Sequence, residues 1–227
     1  MYASLLITCE HAGNEVPDEY ADFFIGQQEI LMSHRGWDPG AFHVAQFLAE
    51  KQNTVLFSHP ITRLLIEPNR SLDHPQLFSV FTNVFSEGEK SKLISIFYLP
   101  YRKEVENAIG RLKNPVLHLS IHSFTPVLND IVRAVDIGLL FDPSRSFETG
   151  FCNRYLENLK QLLPAMRIEF NEPYLGIDDG FTTYLRKKFC DGEYAGIEIE
   201  INQKFMNTPD VAIIQSALSK ALSGISN

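Results

Sequence analysis

The nine-residue run VLHLSIHSF (residues 116–124) constrains this chain more than any other stretch. Successive side chains alternate across a strand, so Leu117, Leu119 and Ile121 share one face while His118, Ser120 and His122 share the other. It reads as a central strand. Around it, short β-rich runs alternate with longer segments of helical period. Strands are predicted over residues 4–8, 54–57, 64–66, 137–141, 166–170 and 196–202. Helices are predicted over residues 41–50, 100–113, 147–163 and 179–188, and from about residue 209 to 222. Asp38 as N-cap, with Pro39 at the first helical position, is a favourable start for the first of these. This alternation predicts an α/β fold: a three-layer α/β/α sandwich around a mixed, mainly parallel sheet covered on both faces. Residues 73–95, rich in Phe, Ser and Glu, are the least regular stretch and read as a loop or lid. No repeat or linker divides the chain, which is expected to form a single domain over residues 1–227.

The bulk properties narrow the function classes. A net charge of −8 and a pI near 5.4 argue against nucleic-acid and anionic-membrane partners, which require clustered Lys and Arg. An anionic small-molecule substrate therefore needs a local basic clamp. Cys9, Cys152 and Cys190 are odd in number and widely spaced, which suits reduced thiols in a cytoplasmic protein better than a disulfide framework. The segment MYASLLITCEH reads as a first strand rather than a signal peptide, and no window approaches the roughly 18 apolar residues of a membrane span.

In doubly wound sheets, ligands bind beyond the carboxyl ends of the strands. Three predicted strands end there in groups suited to metal chemistry: His11, His122 and Glu200. A hydrolytic zinc centre takes three His or carboxylate ligands and leaves a position for water, with a separate carboxylate to carry the proton. The residues alone leave other readings open. A strand-end histidine is commonly a hydrogen-bonded structural group, and Glu198 and Glu200 in GIEIEIN suit the wet face of an edge strand. A serine hydrolase using Ser120 or Ser123 beside His122 is disfavoured, because no G-x-S-x-G elbow occurs.

Eight segments, in order, carry a resemblance: TCEHAGNEVP (8–17), RGWDPGA (35–41), TRLLIEPNRS (62–71), YLPYR (98–102), LHLSIHSFTPV (117–127), DIGLLFDPSR (136–145), NEPYLGIDDGFT (171–182) and GIEIEINQ (196–203). Together they resemble the N-formylglutamate amidohydrolase family, which is related to the zinc carboxypeptidases and aspartoacylases. The resemblance implies a phosphorylase/hydrolase-like zinc exopeptidase fold and Zn2+ as cofactor. It also implies hydrolysis of a small-molecule N-acyl amino acid, the namesake reaction converting N-formyl-L-glutamate to formate and L-glutamate.

By that resemblance His11 and His122 are metal ligands, Glu200 is the catalytic carboxylate, and Asn69-Arg70 grips the substrate α-carboxylate. Arg63 is a second candidate for a substrate carboxylate, or else a partner of Glu67 or Asp73. Arg133 and Asp136 are expected to line the pocket or pair with each other, and Tyr174 and Gly176 to shape the acyl pocket. Arg102 stands where some relatives carry a histidine, so a substrate contact there would differ. The third metal ligand stays open: Asp38 is preferred to Glu15, whose spacing from His11 departs from the aspartoacylase pattern, and Glu10 comes third. The remaining alternatives are a zinc hydrolase for another N-acyl amino acid or small peptide-like amide, and a non-catalytic carboxylate-binding protein.

Overall fold

The computed structural model describes residues 2–225. Six strands form one sheet in the order β2-β1-β3-β8-β6-β7. They are β1 (Ser4–Cys9), β2 (Val55–Ser58), β3 (Val116–Phe124), β6 (Ile137–Leu140), β7 (Ile168–Phe170) and β8 (Tyr194–Asn202). β4 (Val127–Leu128) and β5 (Ile131–Val132) make a separate small hairpin. β2, β1, β3 and β8 run parallel, whereas β6 runs antiparallel to β8 and parallel to β7. The sheet is therefore mixed and mainly parallel, as the alternating pattern predicts.

Strand alternation builds the layers. Ile7, Leu117, Leu119, Ile121, Ile197 and Ile199 face a core completed by α2 (Ala41–Gln52), α5 (Ser146–Leu162) and α7 (Asp210–Ser223). On the opposite side Leu6, Val116 and Tyr194 pack against α4 (Leu99–Arg111) and α6 (Phe181–Arg186). β3 is buried along its whole length, including its four polar residues, His118, Ser120, His122 and Ser123. A third cluster gathers Tyr20, Phe24, Leu65, Ile66, Leu77, Phe85 and Tyr98, with the short helix α1 (Gln28–Met32) contributing Leu31. Among the described residues no helix is long and apolar enough to cross a membrane.

Four local expectations are corrected. Residues 64–66 form turns, not a strand: Ser79 Oγ donates to Leu64 O and Thr82 Oγ1 to Leu65 O, so side chains satisfy carbonyls that a neighbouring strand would otherwise serve. The stretch 73–95 is not wholly irregular. α3 (Glu87–Leu93) starts at a Ser86/Glu89 capping box and runs through a π-helical turn, Ile94–Tyr98, directly into α4. The wider π turn accommodates Pro100, which has no N–H to give a regular helical ladder. The helix predicted at 179–188 is shorter, because Asp179 turns away to accept from Ser71 N at 2.9 Å.

The fourth correction matters most for function. Asp38 is not the N-cap of α2; Gly40 is, in a left-handed conformation at φ 83° that disfavours a side chain. Ala41 N closes the turn on the Asp38 carbonyl at 3.1 Å. The Asp38 carboxylate is thereby left for other partners.

Candidate active site

The site lies beyond the carboxyl ends of β1, β3 and β8. His11 follows β1, His122 is near the end of β3, and Glu200 sits opposite it in register on β8. Asp38 is brought in by the loop before α2, whose backbone is tied to the β1 end by Asp38 N donating to His11 O at 3.1 Å. His11, Asp38 and His122 are all buried, and each offers a ligand atom within 4.8 Å of the others. Among the described residues no other group of three His, Cys, Asp or Glu side chains is so placed.

The atoms are ordered by what stands behind the rings. His11 Nε2 donates to Glu67 Oε1 at 2.5 Å, which turns Nδ1 toward Asp38 Oδ2 at 3.2 Å. Ser120 Oγ donates its one proton to Glu10 Oε2 at 2.6 Å, so it accepts from His122 Nε2 at 2.8 Å. His122 Nδ1 then faces Asp38 Oδ2 at 2.9 Å. Two Nδ1 atoms and one carboxylate oxygen therefore converge, with each ring oriented by a hydrogen-bonded group on its far side. That is how proteins fix the tautomer of a metal-binding histidine. Ser120, almost wholly buried behind the ring, is placed as such a support rather than as a nucleophile.

The electrostatics fit a cation. Burial presses His122 toward neutrality, yet Asp38 and Glu10 outweigh it and raise its pKa well above the ordinary value. Burial and the Arg63 guanidinium press His11 the same way, and Glu67 with Asp38 overcomes them. Asp38, Glu10 and Glu67 are each held below the usual carboxylate range against burial: the imidazoles and hydrogen bonds outweigh it for Asp38 and Glu10, and the Arg63 guanidinium, then His11, for Glu67. The carboxylates thus favour positive charge beside Asp38, and a divalent cation would satisfy them there through the donor set zinc favours.

Glu200 behaves differently. Burial pushes its pKa up to about 7, and Oε2 is buried without a hydrogen-bond partner. Gly138 lies across the sheet from Glu200; a Cβ there would stand 1.9 Å from Glu172 O and 3.3 Å from Glu200 Cβ. Glycine at 138 leaves room for the Glu172 carbonyl to pass beside Glu200.

The other sequence candidates divide. Arg63 is tied to Glu67 (2.7 Å) and Asp38 (3.0 Å), so it serves carboxylates of the protein itself. Asn69 and Arg70 line the cleft; Asn69 Oδ1 accepts from Phe181 N at 2.7 Å, and Arg70 Nη1 donates to Asp179 O. Arg102 points away from the cleft, its guanidinium packed on Tyr98, Phe181 and Tyr184 while Nη1 donates to Pro68 O at 2.9 Å. It braces the backbone carrying the 69–70 pair. Tyr174 lines the cleft and accepts from Arg133 Nη1 at 2.9 Å. Asp136 pairs with Lys204 at 2.5 Å rather than with Arg133. Gly176 packs against the Phe141 backbone. Glu15 is exposed, with its backbone bridged to Ile61, and is not part of the His11–Asp38–His122 group.

Sequence reasoning took Glu67 only as a partner for Arg63 and missed its contact with His11. The trace was present: Glu67 falls four residues after Arg63 in the TRLLIEPNRS segment, two before Asn69. Asp178, Asp179 and Glu198 also line the cleft and were not singled out for it; the cleft holds about 150 Å³.

A mixed α/β sheet with buried His, Asp and Glu side chains converging at the carboxyl ends of its parallel strands defines a hydrolase-like α/β protein with a candidate metal centre. The family model for N-formylglutamate amidohydrolase matches residues 3–206, and the chain belongs to that family, whose members are hydrolases of amides. A crystal structure of a gene product from Agrobacterium tumefaciens is similar at 27% identity and TM-score 0.77, covering 99% of this chain and 92% of that one. Likeness to succinylglutamate desuccinylase from Chromobacterium violaceum is slighter, at 13% identity and TM-score 0.44 over 99% of this chain and 60% of that one. Murine aminoacylase 3 gives 13% identity and TM-score 0.44 over 98% and 64%. No curated protein matches the sequence.

Proposed function

We propose that the protein is a zinc-dependent amidohydrolase of N-acyl amino acids, with N-formyl-L-glutamate as substrate and formate and L-glutamate as products. The convergence of His11, Asp38 and His122 beside an unpartnered Glu200 carboxylate carries this reading. In it, His11 Nδ1, His122 Nδ1 and an Asp38 oxygen hold the metal, and Glu15 has no part. Bound there, zinc supplies Lewis acidity toward a carbonyl oxygen and makes water acidic near neutral pH. Glu200 Oε2 accepts a proton from the attacking water and delivers it to the departing nitrogen, a task that suits a carboxyl group poised near pH 7. Arg70 and Asn69 orient the α-carboxylate, since a guanidinium beside an amide matches its two oxygens. Arg63 keeps Asp38 and Glu67 ionised and in place. The free cysteines, two of them buried, support a cytoplasmic setting.

The test is hydrolysis of N-formyl, N-acetyl and longer N-acyl amino acids before chelation, after it, and after zinc is restored. Turnover that vanishes with the metal and returns with zinc is expected. A zinc-loaded protein inert toward the whole panel would sink the proposal.

A further inference from the structure

The cleft continues past the carboxylate clamp. Arg63 and Arg70 also stand in the wall of an adjoining cavity of about 580 Å³, whose lining includes His34, Arg35, Phe78 and Val80. The two spaces differ in charge. The first carries Asp178, Asp179 and Glu198 beside the clamp. The lining of the second has one carboxylate, Glu67, and that is already paired with Arg63 and His11. Arg35 is exposed, and its guanidinium has no ion-pair or hydrogen-bond partner among the described residues. Burial and the nearby Arg63, Arg35 and Arg133 lower the pKa of His34, a sign that positive charge gathers there.

An amino acid held at Arg70 by its α-carboxylate has two directions for the rest of its atoms. The acidic wall repels a second carboxylate, and the basic cavity attracts it. We infer that this second cavity receives the side chain of the amino-acid half of the substrate and that Arg35 selects an anionic group there. Its volume lies in the range of pockets for molecules far larger than a glutamate side chain. The same subsite therefore admits a glutamate lengthened by a γ-linked acidic residue. This inference rests on the amide-hydrolase reading above and adds a specificity residue and a longer substrate class to it.

The experiment compares the zinc-loaded parent with Arg35→Glu on N-formyl-L-glutamate, N-formyl-L-glutamine and N-formyl-γ-L-glutamyl-L-glutamate. Calorimetric affinities for the products L-glutamate and L-glutamine are measured alongside. The parent is expected to favour both anionic compounds over the glutamine compound by about tenfold or more in kcat/KM, the scale of one charge-assisted contact. Arg35→Glu should erase that preference, mainly through a rise in KM for the two anionic compounds that the glutamine compound does not share in equal measure. An undiminished preference in Arg35→Glu, or an equal loss on all three compounds, overturns the role of Arg35. Rejection of the γ-extended compound by the parent overturns the assignment of the cavity. If the parent hydrolyses nothing, the amide-hydrolase reading fails, and product binding still decides the subsite: L-glutamate held about tenfold tighter by the parent supports it, and equal affinity refutes it.

Discussion

His118 and His122 lie four residues apart on one face of β3, and both are buried, at 0% and 2% exposure. Their surroundings are opposite. His118 sits between two hydroxyls, Thr8 Oγ1 and Tyr194 OH, each at 2.7 Å, and burial pushes its pKa down to about 4. His122 sits between Asp38 and Glu10, and its pKa is raised. Burial alone favours the neutral ring in both places. Ionised neighbours decide the outcome, because a carboxylate in a poorly screened interior stabilises a cation far more than a hydroxyl dipole does. One strand thus carries a neutral structural imidazole and an imidazole suited to holding positive charge.

The sharpest way to break this comparison is at the charged end. Glu200→Gln keeps the shape of the site but removes the proton carrier; turnover should fall by about 10²–10⁴-fold with zinc content unchanged. Survival of near-parental kcat would remove Glu200 from the mechanism. Glu67→Gln weakens the group behind His11, and zinc affinity should drop about ten- to a hundredfold in a competition titration against a chelator. His118→Gln, at the neutral end, should leave zinc affinity alone.

The neutral end should show itself in stability. Below about pH 6.5 the unfolded chain takes up a proton at residue 118, whereas the folded chain resists until about pH 4. The unfolded state binds more protons across that window, so stability rises with pH from 4 to 6.5 and is complete above it. The contribution is on the order of 3 kcal/mol, and urea midpoints at pH 5 and 7.5 should show part of it in the parent and less in His118→Gln. Equal pH dependence in both proteins would refute the neutral ring. The smallest effect is expected for Glu15→Gln: it is exposed and outside the buried His11–Asp38–His122 group, so zinc content and turnover should stay parental, and a loss of zinc would make Glu15 the ligand instead.

Much of this was legible before any fold was known. The strands around residues 116–124 and 196–202 and the helices between them follow from alternation and period, which are local properties. The same patterns put His11, His122 and Glu200 near strand ends, and the ordered family segments attach Asn69-Arg70 to them. Local rules failed where a side chain had a distant use. Asp38 reads as an N-cap because Asp-Pro-Gly before an apolar period usually is one, yet Gly40 takes the cap and Asp38 turns to His11, His122 and Arg63. Leu64–Ile66 reads as a strand, but hydroxyls of Ser79 and Thr82 meet its carbonyls.

The family relation, the α/β class and the placement of His11, His122 and Glu200 near strand ends were therefore legible in the sequence alone. Which carboxylate meets the histidines was decided only by the tertiary structure. Glu15 is closer in sequence to His11 than Asp38 is, but the chain past His11 carries Glu15 into a bridge with Ile61, while a backbone hydrogen bond pins the Asp38 loop to the end of β1. The roles of Glu10 and Glu67 behind the rings, and the contrast between His118 and His122, were settled the same way. A pKa or a ligand set depends on atoms a few ångströms away in space, and those atoms lie tens of residues apart in the chain.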